Sequence, residues 1–400
     1  MQTLTQSPLD PAFVQKPYPF YDRVRAAGAF AVWHDYGLPV SARAVVVGAA
    51  LRDRRLGREA PPEHAPEIPP HLAPFYAVEA HSMLELEPPR HTRLRRLVLR
   101  AFTSARIAAL GPEIELLAEE LIGRFPADGG DLLAHFARPL PVIVIARLLG
   151  VPEERADDLL TWSNAMVGMY QARRTPESEA AAVAATEAFV DFLGRYVEER
   201  RRRPGNDLIT ELIAAEEAGD RLSRDELIAT CILLLNAGHE ATVHTIGNGV
   251  KTLLETGTGA DWLTPERIEG TVEEIFRFDP PLHLFTRWVY EDLEIGGQAF
   301  RRGDRVGLLL AGANRDPGPW EEPARFNPAR PQQVNFSFGA GAHFCIGAPL
   351  ARLELQRALP VLFRALPDLR LAAPPRYADL YHFHGLERLD RSWRASPRLP

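Results

Sequence analysis

The chain has 400 residues, 46% of them hydrophobic and 25% charged, the proportions of a packed globular protein rather than a disordered or fibrous one. Its 46 basic and 53 acidic side chains leave a formal charge of −7, which argues against nucleic acid as the main partner. Cys231 and Cys345 are its two cysteines, too few for a disulfide scaffold and suited to a reducing compartment.

No apolar run reaches the roughly 18 residues of a membrane span. Residues 1–13 lack the basic and apolar regions of a signal peptide, so no membrane association and a cytoplasmic location are expected. The first ninety residues mix short elements, with a strand expected at Ala44–Val47 and a surface loop over 60–75. From Pro89 to Thr256 the pattern is helical. Ser223 and Glu226 have the spacing of a capping box, and the helix that follows runs to about Thr256, roughly 50 Å at about 1.5 Å per residue. Thr264-Pro265 reads as the N-cap and first residue of the next helix, which Asp279-Pro280-Pro281 ends. Strands are expected at Leu293–Ile295 and Arg305–Leu310. A proline-rich irregular segment then spans 313–336, and a last helix starts near Ala348. No composition break divides the chain, so the expectation is a single domain over residues 1–400, mainly α with a small β region.

Phe338, Gly339, Gly341, His343, Cys345 and Gly347 fit the pattern F-G-x-G-x-H-x-C-x-G. Other readings of Cys345 exist. A structural zinc site wants three or four ligands at close spacing, and only His343 is near. A disulfide to Cys231 needs an oxidising compartment, and a catalytic thiol paired with a distant histidine stays open. The segment resembles the haem-binding loop of the cytochrome P-450 family. That resemblance implies haem b (iron protoporphyrin IX), with Cys345 as the metal ligand and axial thiolate and with Phe338 and Gly347 beside it. A thiolate pushes electron density onto iron and favours O–O cleavage. The glycines allow close backbone approach and aim amides at the sulfur.

The same family supplies readings for other segments, in its own order along the chain. Glu274 and Arg277 match its E-x-x-R, and Arg330 in the proline-rich segment matches the arginine that completes a structural salt-bridge network; alone, the pair reads as a solvated i,i+3 contact. Pro88 to Arg96 resembles the start of its C helix. His91 and Arg95, four residues apart, are implied as donors to one haem propionate, and Arg287 and His343 match two further propionate contacts. Arg93, Arg96 and Arg100 fall on the opposite face. There the resemblance implies docking of an acidic ferredoxin or flavodoxin-type donor served by its reductase, against the plainer reading of a solvated face.

Ala237-Gly238-His239-Glu240-Ala241-Thr242 corresponds to the family's A-G-x-[DE]-T-T on its long central I helix over a buried haem. The implied catalytic set is Gly238, Glu240, Ala241 and Thr242. The departure is Ala241, which stands where a threonine is usual. Thr242 is turned about 100° around the helix from it and reads equally as packed or bonded back to a carbonyl. Proton delivery is therefore expected through Glu240 with water or a substrate hydroxyl.

The implied substrate pocket draws on Met83, Leu84, Leu234, Ala237, Leu284 and Phe285, and on Phe383 in a late turn over 382–386. This lining suits a small hydrophobic molecule and offers no counter-ion for a carboxylate. His283, His382 and His384 read either as groups orienting a polar substituent or as satisfied core residues. Met166, Met169 and Tyr170 read as roof or as plain packing. Arg200–Arg203 read as a solvated helix end. The implied activity is a haem-thiolate monooxygenase that takes O2 and electrons from separate proteins and performs hydroxylation or O-dealkylation. Two alternatives are a peroxygenase using H2O2 and a haem-thiolate binding or sensing module without turnover.

Overall fold

A computed structural model describes residues 1–126, 129–217 and 221–392. The chain is mainly helical with a small amount of sheet, as its patterning predicts, and it falls into two compact units. The first comprises residues 1–57, 111–140 and 241–400; the second comprises 58–110 and 141–240. Among the described residues no helix is long and apolar enough to cross a membrane.

In the first unit a six-stranded mixed sheet has the order Thr3–Leu4, Ala31–Trp33, Leu38–Ser41, Arg305–Leu309, Leu284–Val289, Leu56–Gly57. Its two longest strands pair antiparallel, with Arg287 opposite Val306 and Leu284 opposite Leu309. One core cluster packs Phe13, Tyr21, Trp33 and Leu309. Another gathers Val47, Leu51, Val289, Leu308 and Phe336.

The segment read as a strand at Ala44–Val47 is instead the first turn of a helix, Ala44–Arg52. The β-branched run favours a strand locally, but burial of Val46, Val47, Ala50 and Leu51 follows helical spacing. Asp316, distant in sequence, accepts a 2.7 Å bond from the Ala44 amide and so caps the helix from outside. Of the expected loop over 60–75, only short turns precede a helix beginning at Ala73. The helix expected to start at Pro265 starts later and spans Ile268–Phe278. The Thr264 carbonyl instead closes a turn by accepting from the amides of Arg267 and Ile268. The last helix, Ala348–Ala365, begins where expected.

The second unit is helical. The Ala156–Val167 helix packs on Pro176–Arg202, which also packs on Ala73–Glu79. Ser223 and Glu226 form the expected capping box, with bonds of 2.8 Å and 3.1 Å, at the head of the Arg224–Glu255 helix. That helix gives its residues through Glu240 to the second unit and those from Ala241 to the first. Arg200, expected at a solvated end, is tied down: it pairs with Asp207 at 2.8 Å and donates to the Gly150 carbonyl at 2.9 Å.

Candidate active site

The cysteine segment belongs to the first unit and is held by side chains on three neighbouring segments. Asn314 is its hub. Its amide nitrogen donates to the Ser337 hydroxyl at 2.8 Å and its carbonyl oxygen accepts from the Phe336 amide at 2.7 Å. Ser337 in turn donates to the Phe276 carbonyl at 2.6 Å, which stitches the loop to the Ile268–Phe278 helix. The Phe338 ring lies 4.6 Å from Phe276 and 4.6 Å from the Arg352 guanidinium. Arg352 itself pairs with Glu273, and Glu273 also accepts from Asn335.

Beyond this frame the backbone turns sharply. Gly339 and Gly341 have φ of +67° and +72°, the left-handed region open to glycine. A Cβ on Gly341 would lie 2.2 Å from the Leu51 carbonyl oxygen, so the close approach of two backbones requires glycine there. The Cys345 amide bonds to the Phe338 carbonyl at 3.0 Å, and Gly339 to Cys345 is thereby folded into a compact turn. Cys345 is exposed, as are Ala342 and Phe344. The other cysteine is its opposite: Cys231 is buried inside the long helix, and burial pushes its thiol up to about 12. Neither cysteine is in a disulfide, which removes the disulfide reading. A presented sulfur, backed by an aromatic ring and glycine turns, fits a haem-thiolate group in donor type and in space.

Glu274 and Arg277 form a bidentate pair with two 2.7 Å bonds, and both are buried. Arg277 also donates to the carbonyls of Asn314 and Pro323, each at 2.9 Å, and Glu274 accepts from the Asn327 amide at 2.8 Å. Arg330 reaches Glu274 at 3.5 Å while donating to carbonyls of Glu322 and Arg325. The pair therefore ties its helix to the proline-rich segment just ahead of the cysteine loop. The full set of hydrogen bonds offsets the cost of burying the charges.

Of the other expected cofactor contacts, Arg287 is buried on the Leu284–Val289 strand, and His343 lies in the cysteine loop, half-buried. His91 and Arg95 lie on the Arg90–Ala101 helix of the second unit, the first buried and the second half-buried. Arg93 departs from expectation. Its guanidinium is held by Glu226 at 2.9 Å and 3.2 Å, so it is engaged within the unit rather than offered to a partner. Arg96 and Arg100 are exposed, with Leu99 beside them.

On the long helix Ala237 is exposed although its neighbours Leu234, Leu235 and Asn236 are buried. Gly238 packs against Ile145, which a Cβ there would meet at 3.3 Å. Glu240 is half-buried, with its carboxylate 3.4 Å from the His239 ring. That ring also contacts the Leu235 carbonyl at 2.9 Å and the Asn164 side-chain oxygen at 3.3 Å. Thr242 is buried. The Ala241 carbonyl accepts from the Thr245 hydroxyl at 2.7 Å.

The two late pocket segments meet in the first unit. Leu282 and Phe383 form an isolated bridge, His283 and His382 share a backbone bond of 3.2 Å, and Phe383 lies 6.1 Å from the His244 ring. Leu284 does not belong with them. Strand alternation turns it into the cluster around Trp33 and Leu309 and leaves Phe285 on the other face. In the second unit Met83 and Leu234 are buried and Leu84 is half-buried, while Met166 and Met169 are core residues.

The three late histidines are satisfied. His283 is buried; its Nε2 donates to the Pro280 carbonyl at 3.1 Å and its Nδ1 accepts from the Tyr21 hydroxyl at 2.8 Å. His382 meets the Tyr36 hydroxyl at 2.7 Å. His384 stacks 3.7 Å from the Tyr377 ring and lies 3.5 Å from Asp279. Burial pushes His384 down to about 4, although Asp279 opposes it. Burial alone pushes Asp279 up, but Lys251, His384 and Arg315 outweigh it and hold the carboxyl well below the usual range. Asp279, His283 and His384 offer ligand atoms within 4.8 Å of one another. With Lys251 at 3.5 Å from Asp279 and both His283 nitrogens engaged, the group is an ion-paired support for the late turn, not a metal centre.

Residues 268–366 match the sequence model of the family described as Cytochrome P450. The chain is 38% identical over 401 residues to "Cytochrome P450 107B1" of Saccharopolyspora erythraea, covering 95% of this chain and 96% of that one. It is 38% identical over 374 residues to "Vitamin D(3) 25-hydroxylase" of Pseudonocardia autotrophica, covering 90% and 89%. Its backbone superimposes with a TM-score of 0.89 and 32% identity on P450BioI, solved with an acyl carrier protein ligated to hexadec-9Z-enoic acid, across 96% of this chain and 100% of that one.

Proposed function

The chain belongs to the cytochrome P450 family, and on that premise we propose that it hydroxylates or O-dealkylates a small hydrophobic molecule, with Cys345 as the axial ligand and all 400 residues acting as one haem domain. It is a monooxygenase that uses O2 and separate redox partners, and its cofactor is haem with an axial cysteine. The bound haem supplies oxygen activation, favoured by electron donation from the thiolate. The observation that carries the residue assignment is the loop itself: Cys345 is presented on a glycine turn that Asn314, Ser337 and the Glu274–Arg277 pair hold rigid.

The remaining assignments concern what this chain's side chains do. His91, Arg95, Arg287 and His343 are the donors and cations proposed to hold the haem propionates. Phe338 shields the sulfur from water on one side. Glu240 is proposed to hold the proton that leaves for the oxygen side, with a water or a substrate hydroxyl standing in for the alcohol that Ala241 lacks. Phe285, Leu282 and Phe383 supply apolar walls that orient the substrate and exclude water. Arg96 and Arg100, flanking exposed Leu99, are proposed to receive an acidic ferredoxin or flavodoxin-type donor. Alanine at position 241 also favours a second reading, a peroxygenase, for which peroxide-driven turnover exceeds donor-driven turnover.

The test is the spectrum of the purified, reduced protein under CO. The red-shifted Soret band typical of the family is expected, and Cys345→Ser is expected to abolish it; a variant that keeps the band overturns the ligand assignment. Glu240→Gln is expected to divert electrons from product to peroxide while leaving the band intact. Unchanged coupling in that variant rules out the proton role.

A further inference from the structure

The pocket lining expected from the sequence offers no counter-ion for a substrate carboxylate, and the second unit adds a carboxylate of its own. Glu79 ends the Ala73–Glu79 helix, four residues before Met83. Its side chain is half-buried, and among the described residues its one hydrogen-bond partner is the Tyr170 hydroxyl at 2.7 Å. Tyr170 follows the Ala156–Val167 helix, in the stretch that reads, by the family resemblance, as pocket roof or as plain packing. The nearest cation acting on Glu79 is Arg58, but Arg58 is bonded to Glu85 at 2.6 Å. On the elements packed against the Ala73–Glu79 helix, His71 and Glu179 are paired with each other at 2.9 Å, and Arg174 also bonds to Glu179. Glu79 is thus a carboxylate withdrawn from water and met by one neutral donor, in the segment that leads to the proposed pocket residue Met83.

A half-buried carboxylate without a bonded cation is costly to keep ionised. Burial pushes the Glu79 carboxyl up to about 7, with the Tyr170 bond opposing and Glu85 adding to the rise. A single tyrosine bond is a poor return for that cost if its purpose is only to join a helix to a turn, since a neutral glutamine would bond as well. A positively charged nitrogen on a ligand gives the group its missing partner, and charge-assisted contacts of this kind are roughly twice as strong as neutral ones.

We propose that Glu79 is a specificity-determining residue of the substrate pocket, selecting hydrophobic molecules that carry a cationic nitrogen over neutral and anionic ones. This rests on the pocket reading given above. Tyr170 holds the carboxylate in place when no such molecule is bound and shares it when one is.

The test uses the haem-loaded full chain and three probes of one chain length: dodecyltrimethylammonium, dodecanol and dodecanoate, each below its micelle concentration. The quaternary nitrogen cannot coordinate iron, so its binding reads the pocket alone. Calorimetric titration and the low-to-high-spin shift report affinity. The ammonium is expected to bind about tenfold more tightly than dodecanol, the order of one partly screened ion pair without a hydrogen bond, and dodecanoate more weakly than either. Glu79→Gln is expected to erase the ammonium preference while dodecanol binding persists; Tyr170→Phe is expected to keep the preference. The wild-type protein gives an independent check. Between pH 6 and pH 8 the ammonium affinity should rise about tenfold as the carboxyl ionises, while dodecanol affinity stays level.

If dodecanol itself fails to bind, the pocket reading falls and the inference with it. If dodecanol binds but the ammonium gains nothing, or keeps its gain in Glu79→Gln, the inference alone is overturned. A Glu79→Gln variant that loses thermal stability with its probe ratios unchanged identifies the residue as a structural latch.

Discussion

Glu354 gives the sharpest test of the energetics in this fold. It lies on the Ala348–Ala365 helix that leads away from Cys345, is 1% exposed, and neither of its carboxylate oxygens has a hydrogen-bond partner among the described residues. Burial pushes its carboxyl well above the usual range, so the folded chain holds this proton to a higher pH than the unfolded chain does. An unfolded glutamate ionises near pH 4.3. The sign follows directly: a group whose folded pKa is raised favours folding fully at low pH, and that contribution drains as pH climbs between the unfolded and folded values. Each pH unit in that window costs about 1.4 kcal/mol, so the wild-type protein loses about that much through this residue for every unit by which pH rises above the unfolded value, until the folded value is passed. Glu354→Gln stays neutral in both states and lacks the loss. Its stability relative to wild type, from urea midpoints of the haem-loaded protein, should therefore rise with pH above the unfolded glutamate value by about 1.4 kcal/mol per unit until the folded value is passed. A stability difference that does not change with pH would refute the reasoning, and would mean that Glu354 is ionised and paired.

Arg277→Lys removes the bidentate fork and leaves Glu274 buried with incomplete bonding; a loss of about 3–5 kcal/mol and a fall in the haem-loaded fraction on purification are expected, read by urea unfolding and by the ratio of Soret to protein absorbance. Because His384 is pushed down to about 4, its neutral form contributes stability that is complete above the unfolded histidine value near 6.5 and drains as pH falls from there toward 4; His384→Gln should flatten that acid limb of the thermal-midpoint profile by up to about 3 kcal/mol. Reversing Arg96 and Arg100 to Glu should slow reduction by an acidic donor at low salt, with the difference shrinking as ionic strength rises, while the CO spectrum stays that of the wild type; a salt-independent defect would count against docking there.

What could be read from the residues alone followed from how local the determinants were. The capping box of Ser223 and Glu226, the late helix starting at Ala348, the strands at Leu293–Ile295 and Arg305–Leu309 and the cysteine turn are written in a few adjacent positions. The Ala44–Arg52 helix was misread because its cap is Asp316, some 270 residues away, and no local pattern reports that. Asn314, Ser337 and Arg352 escaped notice for the same reason: single polar residues carry no spacing signal, and their roles appear only when the proline-rich segment folds back on the Ile268–Phe278 helix. Leu284 and Phe285 show the limit of a segment-level assignment, since neighbours on a strand face opposite ways and only the sheet decides which one meets the core. Arg93 had the right helix face, but its partner Glu226 lies on another helix.

The supports of the proposed site differ in kind, and the difference bears on what each is for. Around the cysteine loop Glu274, Arg277, Asn314 and Ser337 are buried with their polar groups bonded, the arrangement that fixes one geometry at little net gain in stability. Around the late turn, Asp279, His384 and Lys251 form a second such network, so Phe383 is also carried on a rigid base. Glu79 and Tyr170 depart from that pattern, with a half-buried acid, a single bond and a titration point near the working pH. The networks behind the cysteine loop and the late turn join several groups where Glu79 has one bond, which places the adaptable contact where, on the proposed reading, substrates differ, and keeps rigidity for the loop whose chemistry does not.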